Sequence, residues 1–373
     1  GEKSMTINLN SEKSKKKILV VDDSALMRRV MCDIINSDER FQVVDQAVDG
    51  EQAYELLKKN QYDGVVLDIY MPRMNGIELM RLLQKDRIRA KIMIASTDSK
   101  EGAAVTIESL ELGAIDFVEK PANIAYLKGA YFKEKFLDIL FAVVTSRQTN
   151  ISITPVIPRQ VQEENTQKFV SAVRKSQMPV AGQKCVAIAC STGGPKALQS
   201  VIPKLPADLS APVLIVQHMP KGFTQSLAER LDTLSKIRVK EAAEGDVLEN
   251  GTVYIAMGGK HMNVAVKGGK HVITYTDEPP REGVKPCANY MYESLKTSSF
   301  THIVCVVLTG MGSDGTKGIV NLETSKKIHV IAQDEATSTV YGMPKCIAAT
   351  GLVNQVVGLD DVAQEIIMNV GVK

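Results

Sequence analysis

The chain has 373 residues, 44% of them hydrophobic and 24% charged, with a formal net charge of +2. This is an ordinary globular composition, with apolar material for roughly two or three domains. So small a net charge gives no electrostatic pull toward nucleic acid or a membrane surface, and no apolar run reaches the length of a membrane span.

The opening segment GEKSMTINLNSEKSKKK is polar and lacks an apolar signal core, so no secretory signal is expected. The stretch 16–145 reads as alternating strands and helices. KKILVVDD (16–23) is a buried-strand run ending in two acids, and residues 24–37 have helical spacing with Ser24 as N-cap. FQVVDQA is a second strand and 50–60 a second helix. YDGVVLD (62–68), KIMIAS (91–96) and AIDFVEKP (114–121) supply three more strands, and a last helix falls around 129–146. Strands separated by single helices imply a parallel sheet covered on both faces.

Residues 146–183 are polar, hold three prolines and lose the periodicity, which reads as an interdomain linker with at most one short helix near 163–175. Alternation resumes over 184–373 in the runs CVAIAC, PVLIVQ, GTVYIA, HIVCVVLTG and IHVIAQ, while GGKHVITY reads as part of a hairpin. The chain is therefore expected to be α/β, two doubly wound parallel-sheet domains joined by a linker. Its six cysteines (Cys32, Cys185, Cys190, Cys287, Cys305, Cys346) form no CxxC pair and no zinc-spaced cluster with histidine. They read as buried, reduced thiols of a cytoplasmic protein.

In an open parallel sheet, function collects beyond the carboxyl ends of the strands. In the first domain Asp22 and Asp23 end one strand, Asp68 ends another, Ser96 a third, and Lys120 follows the last. Three converging carboxylates repel one another unless a cation joins them, and oxygen-only ligands suit Mg²⁺. Lys120 and Ser96 suit a phosphoryl group carried on one of the acids. The segments ILVVDDSALMRR, DIYMPRMNGIEL and GAIDFVEKP resemble a response-regulator receiver domain over about residues 16–123, a flavodoxin-like fold. The resemblance implies that Asp68 accepts a phosphoryl group from a histidine kinase. It implies that Asp23, Asp68 and the backbone carbonyl of Tyr70 hold Mg²⁺ with Asp22 assisting, and that Ser96 and Lys120 contact the phosphoryl oxygens. It places Phe117 at the family's aromatic switch position. Tyr70 is bulkier than the small or acidic residue that such domains carry two places after the acceptor.

In the second domain an apolar run breaks into Ser191-Thr192-Gly193-Gly194-Pro195. Such a loop suits a phosphate cradle or an exposed serine nucleophile equally well, and a nucleophile needs a base. His302 and His329 precede their strands, at the wrong end of the sheet. His261, after GTVYIA, is expected near the crevice and to affect substrate affinity. His218 directly ends PVLIVQ and is the best placed base. Asp314, in the glycine-rich turn LTGMGSDG, is the matching acid, and the turn around Met311 offers a backbone N–H to an oxyanion.

ACSTGGPKAL, QHMPKGFT, GGKHM, LTGMGSDG and QDEATSTVYGMP resemble the catalytic domain of chemotaxis protein-glutamate methylesterases, a Rossmann-like fold, over nearly all of 184–370. A receiver domain in front of it is that family's architecture. The resemblance implies a Ser191–His218–Asp314 triad with the Met311 N–H in the oxyanion hole and Thr192 close by. It implies hydrolysis of glutamate γ-methyl esters on chemotaxis receptors without a cofactor, with deamidation of receptor glutamines as an accompanying activity. Two other classes fit the sequence less well. A nucleotide-binding or phosphotransfer enzyme lacks support, because the Ser191 loop has neither a P-loop lysine nor a full GxGxxG. A non-enzymatic adaptor has no need of a serine, histidine and acid set.

Overall fold

The computed structural model describes residues 14–97, 99–121, 126, 129–147, 170–171 and 182–373. Most of the opening segment expected to carry no signal lies outside these residues, as does most of the expected linker; of its short helix Val170 and Ser171 are described, and both are helical.

The first domain is a five-stranded parallel sheet in the order β2-β1-β3-β4-β5. Its strands are β1 (Lys16–Val21), β2 (Phe41–Ala47), β3 (Gly64–Asp68), β4 (Ile92–Thr97) and β5 (Asp116–Lys120). Its helices are α1 (Ala25–Asn36), α2 (Gly50–Lys59), α3 (Gly76–Lys85), α4 (Lys100–Glu111) and α5 (Ala130–Thr145). Inside the sheet, Ile18 to Val21 are fully buried because helices cover both faces, so β1 reads as a continuous apolar run. At the edge, β2 alternates buried and exposed residues instead. Ser24 caps α1 by accepting the Met27 amide, as expected.

The second domain has a seven-stranded parallel sheet in the order β14-β13-β12-β6-β7-β9-β8. The strands are β6 (Lys184–Cys190), β7 (Val213–Gln217), β8 (Arg238–Glu241), β9 (Thr252–Ile255), β12 (His302–Val307), β13 (Ile328–Gln333) and β14 (Gln355–Val357). A hairpin of β10 (His261–Lys267) and β11 (Lys270–Thr276) lies beside it. The helices are α6 (Gly194–Val201), α7 (Phe223–Leu234), α8 (Ala288–Ser294), α9 (Thr316–Glu323), α10 (Met343–Ala348) and α11 (Val362–Val370). Two sheet strands, β8 and β14, were not foreseen. Both are short, partly exposed edge strands without an apolar run. From β6 the chain passes to β7 on one side, and from β12 it passes to β13 on the other. The switch point therefore falls between β6 and β12, where such sheets place their sites.

The receiver-like domain docks on this face. The ring of Phe117 in β5 stacks on Phe223 at the start of α7, with centroids 4.6 Å apart. Glu111, closing α4, accepts from Arg230 of α7 at 2.6 Å and from Gln199 of α6 at 3.1 Å. Arg147 pairs with Glu335.

Candidate active site

The three strand ends at the switch point are laced together through backbone. The Ser191 amide donates to Thr309 O at 3.0 Å and the His218 amide to Cys190 O at 3.2 Å. Ser191 thus follows β6 with the end of β12 on one side and His218 on the other. The fit against β12 requires glycine at 310, since a Cβ there would come within 2.8 Å of Ser191 Cβ. Gly193 opens α6 with φ +77°, a left-handed value that side chains rarely adopt.

His218 Nε2 lies 2.7 Å from Asp314 Oδ2. Asp314 is buried and fully engaged. Its Oδ2 also accepts the Ala288 amide at 2.6 Å, and its Oδ1 accepts the Asn289 amide and the Cys287 thiol, each at 3.0 Å. Burial alone would raise this carboxyl, but the hydrogen bond and charge of His218, with the Ala288 amide and the Cys287 thiol, outweigh it and hold it below the usual carboxylate range. The acid is therefore an acceptor fixed in place, as a histidine-orienting group must be.

His261 departs from expectation. It is fully buried rather than at the substrate. Its Nδ1 accepts the Cys287 amide at 3.2 Å, so the ring proton sits on Nε2 and is donated to Pro279 O at 3.1 Å. His261 opens β10 and packs against Tyr290 of α8. Cys287 was missed as a group near the acid. Its place after Pro286 and at the N-cap of α8 was the available signal.

A cavity of about 350 Å³ between the domains is lined by Ser191, Thr192, His218 and Met311, and on the receiver side by Asp116 and Phe117. Asp116, another residue not foreseen, accepts a hydrogen bond from Thr192, next to the nucleophile candidate. Burial between the domains nevertheless pushes its carboxyl above the ordinary value.

In the first domain Asp22, Asp23 and Asp68 offer carboxylate oxygens that all lie within 4.8 Å of one another. Lys120 reaches across to Asp22 at 2.7 Å and Asp68 at 3.0 Å. This set of hard oxygen donors at the β1–β3 switch point fits Mg²⁺. Burial raises the Asp68 carboxyl, Lys120 opposes that shift, and Asp22 adds to it. The Ser96 hydroxyl lies 2.6 Å from that of Thr106 in α4, so it is engaged with this helix. Tyr70, two residues beyond Asp68, is half-exposed.

Residues 186–366 match the CheB methylesterase family and residues 18–131 the response regulator receiver domain. A protein-glutamate methylesterase/protein-glutamine glutaminase of Pyrococcus horikoshii is 42% identical over 355 residues, covering 95% of this chain and 93% of that protein. The chain belongs to this methylesterase family. The Bacillus subtilis protein of the same description is 38% identical over 356 residues, covering 94% of this chain and 97% of its own length. The solved catalytic domain of Thermotoga maritima CheB methylesterase is 38% identical and covers 50% of this chain and 98% of its own, with a TM-score of 0.48. As a methylesterase family member this chain is an enzyme, a hydrolase with a receiver domain ahead of its catalytic half. Among the described residues no helix is long and apolar enough to cross a membrane.

Proposed function

We propose that residues 184–373 hydrolyse glutamate γ-methyl esters on chemotaxis receptors, and deamidate receptor glutamines, with Ser191 as nucleophile, His218 as base and Asp314 as orienting acid. The observation that carries this reading is the His218 Nε2–Asp314 Oδ2 contact of 2.7 Å, formed where β7 and β12 end on either side of Ser191. With Nε2 committed to Asp314, Nδ1 is the nitrogen that accepts the Ser191 proton. Ser191 Oγ then attacks the ester carbonyl carbon. The oxyanion is held by the backbone N–H of Met311, with Thr192 beside it. His218 returns the proton as the C–O bond breaks and methanol leaves. Water, deprotonated by His218, attacks the acyl-enzyme, and the glutamate carboxylate leaves as Ser191 recovers its proton. With glutamine the leaving group is ammonia and the remaining steps are the same.

Residues 16–145 act in this reading as the regulator, tethered by 146–183. A histidine kinase phosphorylates Asp68. Asp23, Asp68 and the Tyr70 carbonyl, with Asp22 assisting, would hold Mg²⁺, which neutralises phosphoryl charge during transfer. Lys120 binds a phosphoryl oxygen, and Ser96 turns to another, releasing Thr106 of α4. That helix carries Glu111, the partner of Arg230 and Gln199. Unphosphorylated, Asp116 and Phe117 stand over the crevice; phosphorylation shifts the population toward separated domains. The enzyme works in the cytoplasm, at receptor signalling helices, without inserting in the membrane or binding nucleic acid, and ester hydrolysis needs no cofactor. The test is methanol release from methylated receptor membranes with and without acetyl phosphate and Mg²⁺. Release that rises on adding phosphodonor supports the reading, and absence of release under both conditions rejects it.

A further inference from the structure

The hydrogen bonds behind the triad run in series. Pro279 O accepts His261 Nε2–H at 3.1 Å, and His261 Nδ1 accepts the Cys287 amide at 3.2 Å. The Cys287 thiol then donates to Asp314 Oδ1 at 3.0 Å, while Asp314 Oδ2 holds His218 at 2.7 Å. Every group between Pro279 and Asp314 is buried, with His261 and Cys287 both fully so. Burial, and next the Asp314 charge, push the Cys287 thiol up, so it stays protonated and acts as a donor rather than a nucleophile. The ring of His261 is further seated against Tyr290 of α8, centroids 4.5 Å apart. The geometry leaves this histidine one tautomer and one orientation.

We propose that Cys287 and His261 are positioning residues for the Asp314–His218 pair, His261 fixing the Cys287 backbone and the Cys287 thiol fixing the Asp314 oxygen that does not face His218. The proposal rests on the triad reading above and deepens it. A carboxylate that orients a histidine must present one oxygen in one direction. Two backbone amides and the thiol leave Asp314 no freedom to rotate. They also disperse its charge. Without the thiol, Oδ1 keeps only the Asn289 amide, the charge concentrates, and the imidazolium form of His218 is held more tightly. Other charged groups near the pair are Asp116 from the receiver side, Glu282 and Lys285 from the rim after β11, and Lys317 of α9. None of them is altered by the substitutions below.

The experiment uses the full chain, activated with acetyl phosphate and Mg²⁺, and follows methanol release from a carboxyl-methylated receptor fragment across pH. Cys287→Ala is expected to lower kcat about ten-fold, leave KM within about two-fold, and move the acidic limb of kcat/KM to higher pH. Cys287→Ser restores a donor and is expected to return both kcat and the limb toward the parent. His261→Leu is expected to lower kcat with unchanged KM, and His261→Asn, whose side-chain oxygen can accept the Cys287 amide, to recover part of it. Ser191→Ala is measured alongside. If Ser191→Ala is inactive while Cys287→Ala keeps the parental kcat and pH limb, the positioning role is wrong and the triad stands. If Ser191→Ala turns over normally, the triad reading itself fails. If His261 variants raise KM and spare kcat, His261 acts on substrate and the relay is overturned. Should His261→Leu fail to fold, the pair Cys287→Ala and Cys287→Ser decides the matter alone.

Discussion

Phe117 and Phe223 stack across the domain boundary with 26° between their ring planes. One belongs to the strand that ends at Lys120, the other to the helix that follows His218. An aromatic pair of this kind contributes about 0.5–1.5 kcal/mol beyond its buried area. Phe117→Ala should therefore raise methanol release in the absence of phosphodonor by several-fold, on the order of the factor such an energy represents. It should also shrink the ratio of activated to basal rate. Unchanged basal release would show that the stack does not hold the domains closed.

Asp116 makes the same contact sensitive to pH. Its carboxyl is raised by burial between the domains, so the closed arrangement binds a proton more tightly than an open one, in which the group is hydrated. Closure is strongest below the ordinary carboxylate range. It weakens as pH rises from there to the raised value, and above that the loss is complete. Near neutral pH, Asp116→Asn should therefore close the domains more firmly and lower basal turnover a few-fold, on the order of the cost of desolvating one carboxylate. Small-angle scattering should show the parent approaching the Asp116→Asn profile as pH falls. A variant with higher basal turnover than the parent would contradict this.

Ser191→Ala removes one hydroxyl from a partly exposed position and little packing. It should keep the fold, read by circular dichroism, and reduce kcat by on the order of 10⁴ or more. Turnover close to the parent by the folded variant would mean that another group attacks the ester.

Asp68→Ala should abolish activation by acetyl phosphate while leaving basal release in place, since Asp68 lies in the first domain, away from the cavity lining. Lys120→Met should also blunt activation, but through a different step. It removes the cation that bridges Asp22 and Asp68 and would meet the phosphoryl group. Labelling with radioactive acetyl phosphate separates the two, because Lys120→Met keeps the acceptor and Asp68→Ala does not. Full activation of Asp68→Ala would place the phosphorylated residue elsewhere.

Strand ends were the most legible part of the sequence. Asp22, Asp68, Lys120, Ser191 and His218 each close or follow an apolar run, and a parallel sheet gathers such positions by construction. Asp314 was readable from its glycine-rich turn. His261 was misplaced because it too follows a strand, β9, and nothing local shows that the hairpin turns it inward to face Cys287. Cys287 itself is apolar by composition and acquires a role only when the α8 terminus meets the Asp314 turn, two segments brought together by the sheet order. Asp116 was read as part of a strand. Its meeting with Thr192 depends on how two domains dock, for which periodicity carries no signal. The edge strands β8 and β14 escaped because edges need no buried run.

Asp116 and Lys120 are the two ends of one strand, β5. At about 3.3 Å per residue they stand roughly 13 Å apart. In the proposed reading β5 meets the phosphoryl group at Lys120 and the catalytic cavity at Asp116 and Phe117. Its consequence concerns time. In that reading a stiff strand settles far faster than an acyl phosphate hydrolyses, so activation would persist for as long as the phosphate survives and no longer.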